Sequence, residues 1–424
     1  MKTLGIVAEY NPFHNGHLYH LRQSRALSGA DCVIAVMSGN YTQRGEPALV
    51  DKWARAEMAL LCGIDLVIEL PFTYAMGSAE YFAFGAVKLL DSLGAVDSLC
   101  FGSESGSLEK LMEAASILAD EPDGYKLALK QELAAGRSFP AARQSALSSY
   151  LKAQYDRDDL SDVLDSANNI LGIEYLKALR RLKSSIRPLT LERIGNQYHS
   201  AELTGELSSA TSIRRIIAEN PWREAKKQLA VTLPGTVLSI LEREFELGRG
   251  PVLPTDFDML LLSLLRRMTV EEIAALPYME EGLENRFKSA AENAGSFDEL
   301  LKAVCTRRYT CTRIQRILFS LMTGLTVDLF NFFNETGGPA YIRILGFNDT
   351  GRLLLSTVRD RTKLPLITKA ADFRNSDIRG IAGQLRLEAA ASDQYVLGFK
   401  NPAFRKSGSE FTRNVINIAK TVGS

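Results

Sequence analysis

The sequence predicts a doubly wound α/β domain with a parallel sheet and a helical insertion, followed by a mostly helical C-terminal region. Three observations predict it. Short apolar runs alternate with amphipathic helical stretches over the first hundred residues, the pattern of a parallel sheet buried on both faces. Strand patterning then lapses between about residues 106 and 167. Beyond Asn220-Pro221 the periodicity is helical.

The elements follow in order. "LGIVAEY" is a first strand, stopped by Asn11-Pro12, and "GHLYHLRQSRAL" sets Leu18, Leu21 and Leu27 on one side of a helix. "DCVIAVMSGN", helical "DKWARAEMALLCG", "IDLVIELPF", helical "GSAEYFAFGAVKLLDSLG" and "VDSLCFGSES" continue the alternation to a fourth strand. Ligands of such sheets gather at the carboxyl ends of the strands. "SLEKLMEAASILADE" and "SFPAARQSALSSYLKAQY" are expected as inserted helices, and "ANNILGIEYLKALRRLKS" as a further one. "LTLERIGNQYH" resumes the sheet, and "SSATSIRRIIAEN" opens like a capped helix. Residues 1–220 form one expected domain and 221–424 a second region. In the latter, "LPGTVLSILEREFELG", "DFDMLLLSLLRRM", "VEEIAALPYM" and "DELLKAVCTRRYTCTRIQRILFSLMTGL" read as amphipathic helices. A small mixed segment at about 340–370, with a turn at Asn348–Gly351, and a terminal helix near "FTRNVINIAK" complete the chain.

Composition narrows the class. With 424 residues, 46% hydrophobic and 24% charged, the chain is an ordinary globular one, long enough for two or three domains. Lys plus Arg balances Asp plus Glu at 50 each, so a nucleic-acid partner must meet a local basic surface. The five cysteines include no C-x-x-C. Cys32 and Cys100 fall inside strand-like runs and read as buried thiols. An odd count without framework spacing favours a reducing compartment. The N-terminal apolar stretch is too short for a signal peptide, and no window reaches ~18 uninterrupted apolar residues. A cytoplasmic protein without a membrane partner is expected.

Three of the four histidines lie in "EYNPFHNGHLYH": His14, His17 and His20. His14-Asn15-Gly16-His17 sits where the first strand meets the first helix. Backbone N–H groups point outward there and the helix dipole favours anions. Gly16 lets a phosphate approach the backbone, and imidazoles at i and i+3 can both donate to its oxygens. The spacing alone would also suit a three-histidine metal site or a structural cluster. No Asp, Glu or Cys lies among the histidines from His14 to His20, and helical metal pairs use i,i+4. No metal ligation by protein side chains is therefore expected. His20, one turn beyond His17, reads as a packing neighbour. In Ser209-Ala210-Thr211-Ser212-Ile213-Arg214, ordinary N-capping competes with a phosphate-binding helix start.

"NPFHNGH" resembles the H-x-G-H signature of the nucleotidyltransferases related to class I aminoacyl-tRNA synthetases. That resemblance implies a Rossmann-like nucleotidyltransferase domain that directs a nucleophile onto the α-phosphate of ATP. The segment ending in Arg214 fits the group's second motif, whose helix start holds the β- and γ-phosphates. "AEYNPFHNGH", "MSGNYTQRGEPALVDKWARAE", "GIDLVIELP" and "SSATSIRR" together resemble the bacterial tRNA(Met) cytidine acetate ligases, over essentially the whole N-terminal half. The likeness implies acetyl-adenylate formation from acetate and ATP, then acetyl transfer to N4 of the wobble cytidine of elongator tRNA(Met), giving N4-acetylcytidine.

The catalytic residues so implied are His14, His17 and Arg214. The implied ATP site comprises Val7, Ala8, Glu9, Tyr10, Asn11, Pro12, Phe13, His14, Asn15, Gly16, His17, Leu18, Tyr19 and His20, with Gly102, Asn169, Arg193, Ile194, Thr211 and Ser212. Gly102 ends the fourth strand, where a side chain would collide with adenosine; Ile194 can pack on the adenine. Mg²⁺ would accompany ATP, held through phosphates and water. ATP, acetate and tRNA are the expected partners, and no protein partner is expected.

Arg44, Lys52 and Arg55 emerge at the strand end that carries the histidines and are expected to meet phosphate or tRNA. "CTRRYTCTRIQR" adds Arg307, Arg308, Arg313 and Arg316 around Tyr309 as candidate tRNA contacts, and "LRRLKSSIR" a second basic run. A solvated helix face is the plainer reading of such runs. The residues by themselves reach only nucleotidyl transfer. A small-molecule adenylyltransferase acting on a nucleotide or phosphopantetheine stays open, as does a non-catalytic RNA- or nucleotide-binding scaffold. The long helical half counts against the first; intact His14, His17, Thr211, Ser212 and Arg214 count against the second.

Overall fold

The computed structural model of the protein describes residues 1–137, 139–157, 160, 163–193, 208–376, 378 and 380–419. The apolar runs of the first half form β1 (Thr3–Ala8), β2 (Cys32–Ser38), β3 (Leu66–Leu70), β4 (Ser98–Ser103) and β5 (Arg187–Glu192). All five are parallel, in the order β5-β4-β1-β2-β3. The first four are buried nearly throughout, as continuous apolar runs require, whereas β5 is a half-exposed edge. Strand order reverses at β1, with β2 on one side and β4 on the other. A switch point of this kind opens a crevice beyond the carboxyl ends of the strands.

Helices α1 (Asn15–Ser28), α2 (Lys52–Leu61), α3 (Phe72–Ala75) and α4 (Ala79–Ser92) connect the strands. The insertion holds α5 (Leu108–Asp120), α6 (Asp123–Ala134) and α7 (Phe139–Tyr155), and α8 (Ala167–Arg181) returns to the sheet. Helix α6 escaped sequence reading because it buries a single residue, Tyr125, and so carries little amphipathic signal. After α9 (Ala210–Glu219) come α10 (Trp222–Leu229), α11 (Gly235–Glu246), α12 (Asp258–Arg267), α13 (Val270–Ala274), α14 (Leu283–Asn293), α15 (Phe297–Val304), α16 (Cys311–Thr323) and α17 (Val327–Glu335). The stretch read as continuous through the cysteines breaks between α15 and α16. Cys305 and Cys311 pair across that break as a disulfide, which their spacing did not signal. No single helix among the described residues is long and apolar enough to cross a membrane.

The packing crosses residue 220. Ala225, Leu229, Val237 and Leu241 share a core with Leu4, Val33 and Ala56 of the sheet domain. Tyr41, Phe72 and Met76 join the helical core of Phe257, Phe287 and Phe319.

The tail departs from expectation more sharply. Its mixed segment does not stand apart: β6 (Ile342–Asn348) pairs antiparallel with β3, and β7 (Leu366–Ile367) extends the sheet beyond it. Asn348 begins no turn. Its side chain accepts the Gly351 amide and caps α18 (Asp349–Val358). Helix α19 (Ile381–Tyr395) follows. The terminal helix is only the short α20 (Ser409–Thr412), after which β8 (Ile416–Ile418) pairs with β6. The β-branched isoleucines of "INI" favour the strand.

Candidate active site

The turn after β1 is pinned from both sides. Asn11 Oδ1 accepts the Leu49 amide at 2.8 Å, and the Asn11 carbonyl accepts Arg214 Nη1 at 3.0 Å. Tyr10 takes φ 48°, and Asn11-Pro12 is cis. His14 is the N-cap of α1, in an extended conformation. His14 Nδ1 accepts the Gly16 amide at 3.1 Å, and His17 Nδ1 accepts the His14 amide at 3.3 Å. The rings stack with centroids 3.8 Å apart, and Tyr10 meets His17 edge-on at 5.0 Å.

Electrostatics sets the protonation of the rings. Burial, aided by Arg193 and Arg214, lowers the His14 pKa to about 3. Burial, then His14 and Arg193, hold His17 well below the usual imidazole range. Burial, then Arg193, lowers His20 to about 4. All three are neutral at pH 7. An Nδ1 that accepts an amide carries no proton, so His14 and His17 each present Nε2–H as a donor.

Across the crevice, α9 begins at Ser209. Its hydroxyl accepts the Ser212 amide at 3.1 Å, and Ile213 N–H goes to the Ser209 carbonyl. The amides of Ala210 and Thr211 are left for a ligand, at the positive end of the helix. The N-cap is thus Ser209, and neither Thr211 nor Ser212 fills that position. Ser212 is fully buried, with its hydroxyl turned back to the Ser209 carbonyl at 2.8 Å.

The cleft between these elements measures about 250 Å³. It gathers Val7, Ala8, Glu9, Tyr10, Asn11, His14, Gly16, His17, Tyr19, His20, Gly102, Arg193, Thr211, Arg214 and Arg44 from the expected set. Phe13 is in the core, Pro12 is buried, and Leu18 packs against the core. Asn15 turns its side chain to the Val231 carbonyl at 2.9 Å. Asn169 is buried, and its Oδ1 accepts the amides of Glu104 and Ser105 behind the cleft. Its neighbour Asn168 is the one that lines it. Ile194 lies outside the described residues. Sequence reading missed Gln43, Phe82, Phe101, Leu171, Tyr175 and Leu191, whose apolar or loop settings carry no signal of function.

Two expected phosphate or tRNA contacts are overturned. Lys52 is buried, its Nζ 2.6 Å from Glu69, 3.4 Å from Glu388 and 2.5 Å from Glu410. Burial alone would lower its pKa, but the three carboxylates outweigh that and raise it. Arg55 is buried too. Its guanidinium donates to the carbonyls of Val50 at 3.1 Å, Glu9 at 2.7 Å and Ser38 at 3.1 Å, and to that of Gly39. Nearly every face of α2 is buried, so cations on it turn inward. Arg316 spends Nε on the Gln43 carbonyl at 2.9 Å, and Arg313 spends its guanidinium on Tyr278 and Glu280. Arg307 and Arg308 are exposed, the latter 3.3 Å from Glu280.

A family model described as HIGH Nucleotidyl Transferase matches residues 1–410. The tRNA(Met) cytidine acetate ligase of Acetivibrio thermocellus is 52% identical over 416 residues, 98% of this chain and 100% of that one. The protein of the same name from Caldanaerobacter subterraneus is 47% identical, over 96% and 98% of the two chains. The crystal structure of Thermotoga maritima TmcAL bound with α-thio ATP matches with a TM-score of 0.92 at 39% identity, over 99% of this chain and 100% of that one. With the paired histidines of the signature in place and its length shared almost throughout, the chain belongs to the HIGH nucleotidyl transferase family and, within it, to the family of the tRNA(Met) cytidine acetate ligases.

Proposed function

We propose that the protein is an ATP-dependent tRNA-modifying ligase that activates acetate as acetyl-adenylate and passes the acetyl group to N4 of the wobble cytidine of elongator tRNA(Met). The carrying observation is the histidine pair, two neutral rings whose Nδ1 atoms are occupied and whose Nε2–H groups remain for phosphate oxygens. In the first step an acetate oxygen bonds to the α-phosphorus and the bond to the bridging oxygen breaks, releasing pyrophosphate. Such transfer rests on positioning and charge stabilisation. His14 and His17 donate to the α-phosphate oxygens that gain charge. Arg214 and the free amides of α9 receive the departing pyrophosphate.

No group of three His, Cys, Asp or Glu among the described residues could hold a metal ion. Mg²⁺ accompanying ATP would be held through phosphate oxygens and water, and would supply charge neutralisation there. In the second step N4 attacks the acetyl carbon and AMP leaves, which requires the base to be splayed from its stack. Arg44 at the cleft, with Arg307 and Arg308 further out, would meet the tRNA backbone.

Incubation with ATP and labelled acetate, with and without tRNA, tests the reading. Pyrophosphate release and label on tRNA(Met) cytidine are the expected results. Release driven instead by nicotinate mononucleotide or phosphopantetheine overturns it. His17→Ala should slow adenylation roughly 10²–10³-fold, about 2.7–4 kcal/mol, while far-UV circular dichroism stays that of the folded chain. Wild-type adenylation in that variant removes His17 from the site.

A further inference from the structure

The crevice has two unlike walls. On the β4–β5 side lie Phe101, Gly102, Leu171 and Leu191, an apolar surface with room for a flat purine. On the β2 side, the following loop contributes Gln43 and Arg44. Glu9 stands at the foot of this second wall. Its Oε1 accepts the Gln43 amide at 2.6 Å, and its own carbonyl is held by Arg55 at 2.7 Å. Strand end and loop thus fix the carboxylate. Adenylation as described draws on the histidines and α9, and leaves Glu9 without a task.

Acetyl transfer to an exocyclic amine makes a demand that adenylation does not. As N4 bonds to the acetyl carbon and the bond from that carbon to the phosphate oxygen breaks, N4 sheds a proton and AMP leaves as an anion. His14 and His17 cannot take the proton, because each Nδ1 accepts a backbone N–H and each Nε2 already carries hydrogen. His20 Nε2 is buried away from the cleft's solvent. Among the described residues, the carboxylates lining the cleft are Glu9 and Glu192. Glu192 is exposed at the end of the edge strand, across from the β2 wall.

Building on the functional reading above, we propose that Glu9 accepts the N4 proton, in a nucleobase subsite formed with Gln43 and Arg44. A carboxylate accepts a hydrogen bond from cytosine N4 and repels the carbonyl that uracil carries at the same position. The bound proton passes to solvent after AMP departs. Arg44 and Glu46 from the loop, Arg55 from α2, Arg214 from α9 and Arg316 from α16 act on Glu9. Burial outweighs the Gln43 amide and these cations and raises the carboxyl above its ordinary range, the direction that makes it a stronger base.

Single-turnover measurement separates the two half-reactions. Wild type and Glu9→Gln are loaded with ATP and acetate, pyrophosphate is read, and acetylated cytidine is read after tRNA is added. Glutamine keeps an oxygen for the Gln43 amide but cannot take the proton. Transfer should fall at least about 10²-fold more than adenylation, and its rise with pH should vanish. Glu9→Asp should recover part of both. Equal loss in the two halves, wild-type transfer in Glu9→Gln, or a Glu9→Asp no better than Gln overturns the proposal. Should the variants misfold, a wild-type transfer rate that shows no rise from about pH 4 upward overturns it as well. Absence of pyrophosphate release in wild type sinks the functional reading together with this inference. Normal release with unaltered transfer in Glu9→Gln sinks the inference alone.

Discussion

A Cβ at Gly16 would stand 2.8 Å from His14 Cε1 and 3.0 Å from its Nδ1. Glycine is thus demanded by the imidazole beside it, before any phosphate arrives. The same rings make the fold sensitive to acid. An unfolded chain protonates its histidines from about pH 6.5 downward, whereas His14 resists to about 3 and His20 to about 4. Between those limits the unfolded state binds more protons, so stability falls as pH falls. Urea midpoints of the ligand-free protein are expected to drop steadily from pH 7 to about 4, and His14→Gln should flatten the drop. A midpoint indifferent to pH would mean that these rings titrate normally. At this scale the sequence was legible where chemistry sits in one short turn, as at His14 and His17. It was illegible where side-chain direction decides, as between Asn168 and Asn169, or for Lys52 and Arg55, which read like solvated cations.

The loop after β2 and helix α16 act as one piece. A Cβ at Gly45 would come within 2.5 Å of the Arg316 amide nitrogen, and Arg316 grips the Gln43 carbonyl. The segment between α15 and α16, with Arg307 and Arg308, is therefore tied through α16 to the wall of the cleft. Charge reversal of both arginines should weaken tRNA binding and reduce its salt slope by about one for each phosphate no longer neutralised, with adenylation preserved. An unchanged affinity across a salt titration would reject that placement. Strands buried on both faces announced themselves as uninterrupted apolar runs. The short β8 did not, because its pairing with β6 is a tertiary fact that three residues cannot encode.

Across the whole molecule, a buried ionic cluster joins the first half to the tail. Glu410 meets Lys52 at 2.5 Å and Arg343 at 3.4 Å, and all three side chains are essentially inaccessible. Burial would raise the Glu410 pKa, but Lys52 and Arg343 pull it below the ordinary range. Glu69 is pushed well up, by burial and then by Glu388. Glu410→Ala should cost about 3–5 kcal/mol in urea unfolding, because it strands buried positive charge; Glu410→Gln, which keeps an acceptor, should cost less. A loss below about 1 kcal/mol would show that the cluster is hydrated or dispensable. The division near residue 220 was legible as a change of periodicity, but not the return of β6 to the first sheet. Lys52 and Glu410 are 358 residues apart in the chain. At about 5–20 residues per second that separation takes roughly 20 to 70 seconds of synthesis. Until the segment around Glu410 emerges from the ribosome, the histidine turn already exists, but Lys52 lacks its closest carboxylate, and for most of that time β3 lacks β6. Completion of the sheet beside the ATP cleft thereby waits on residues translated long after the cleft's own histidines.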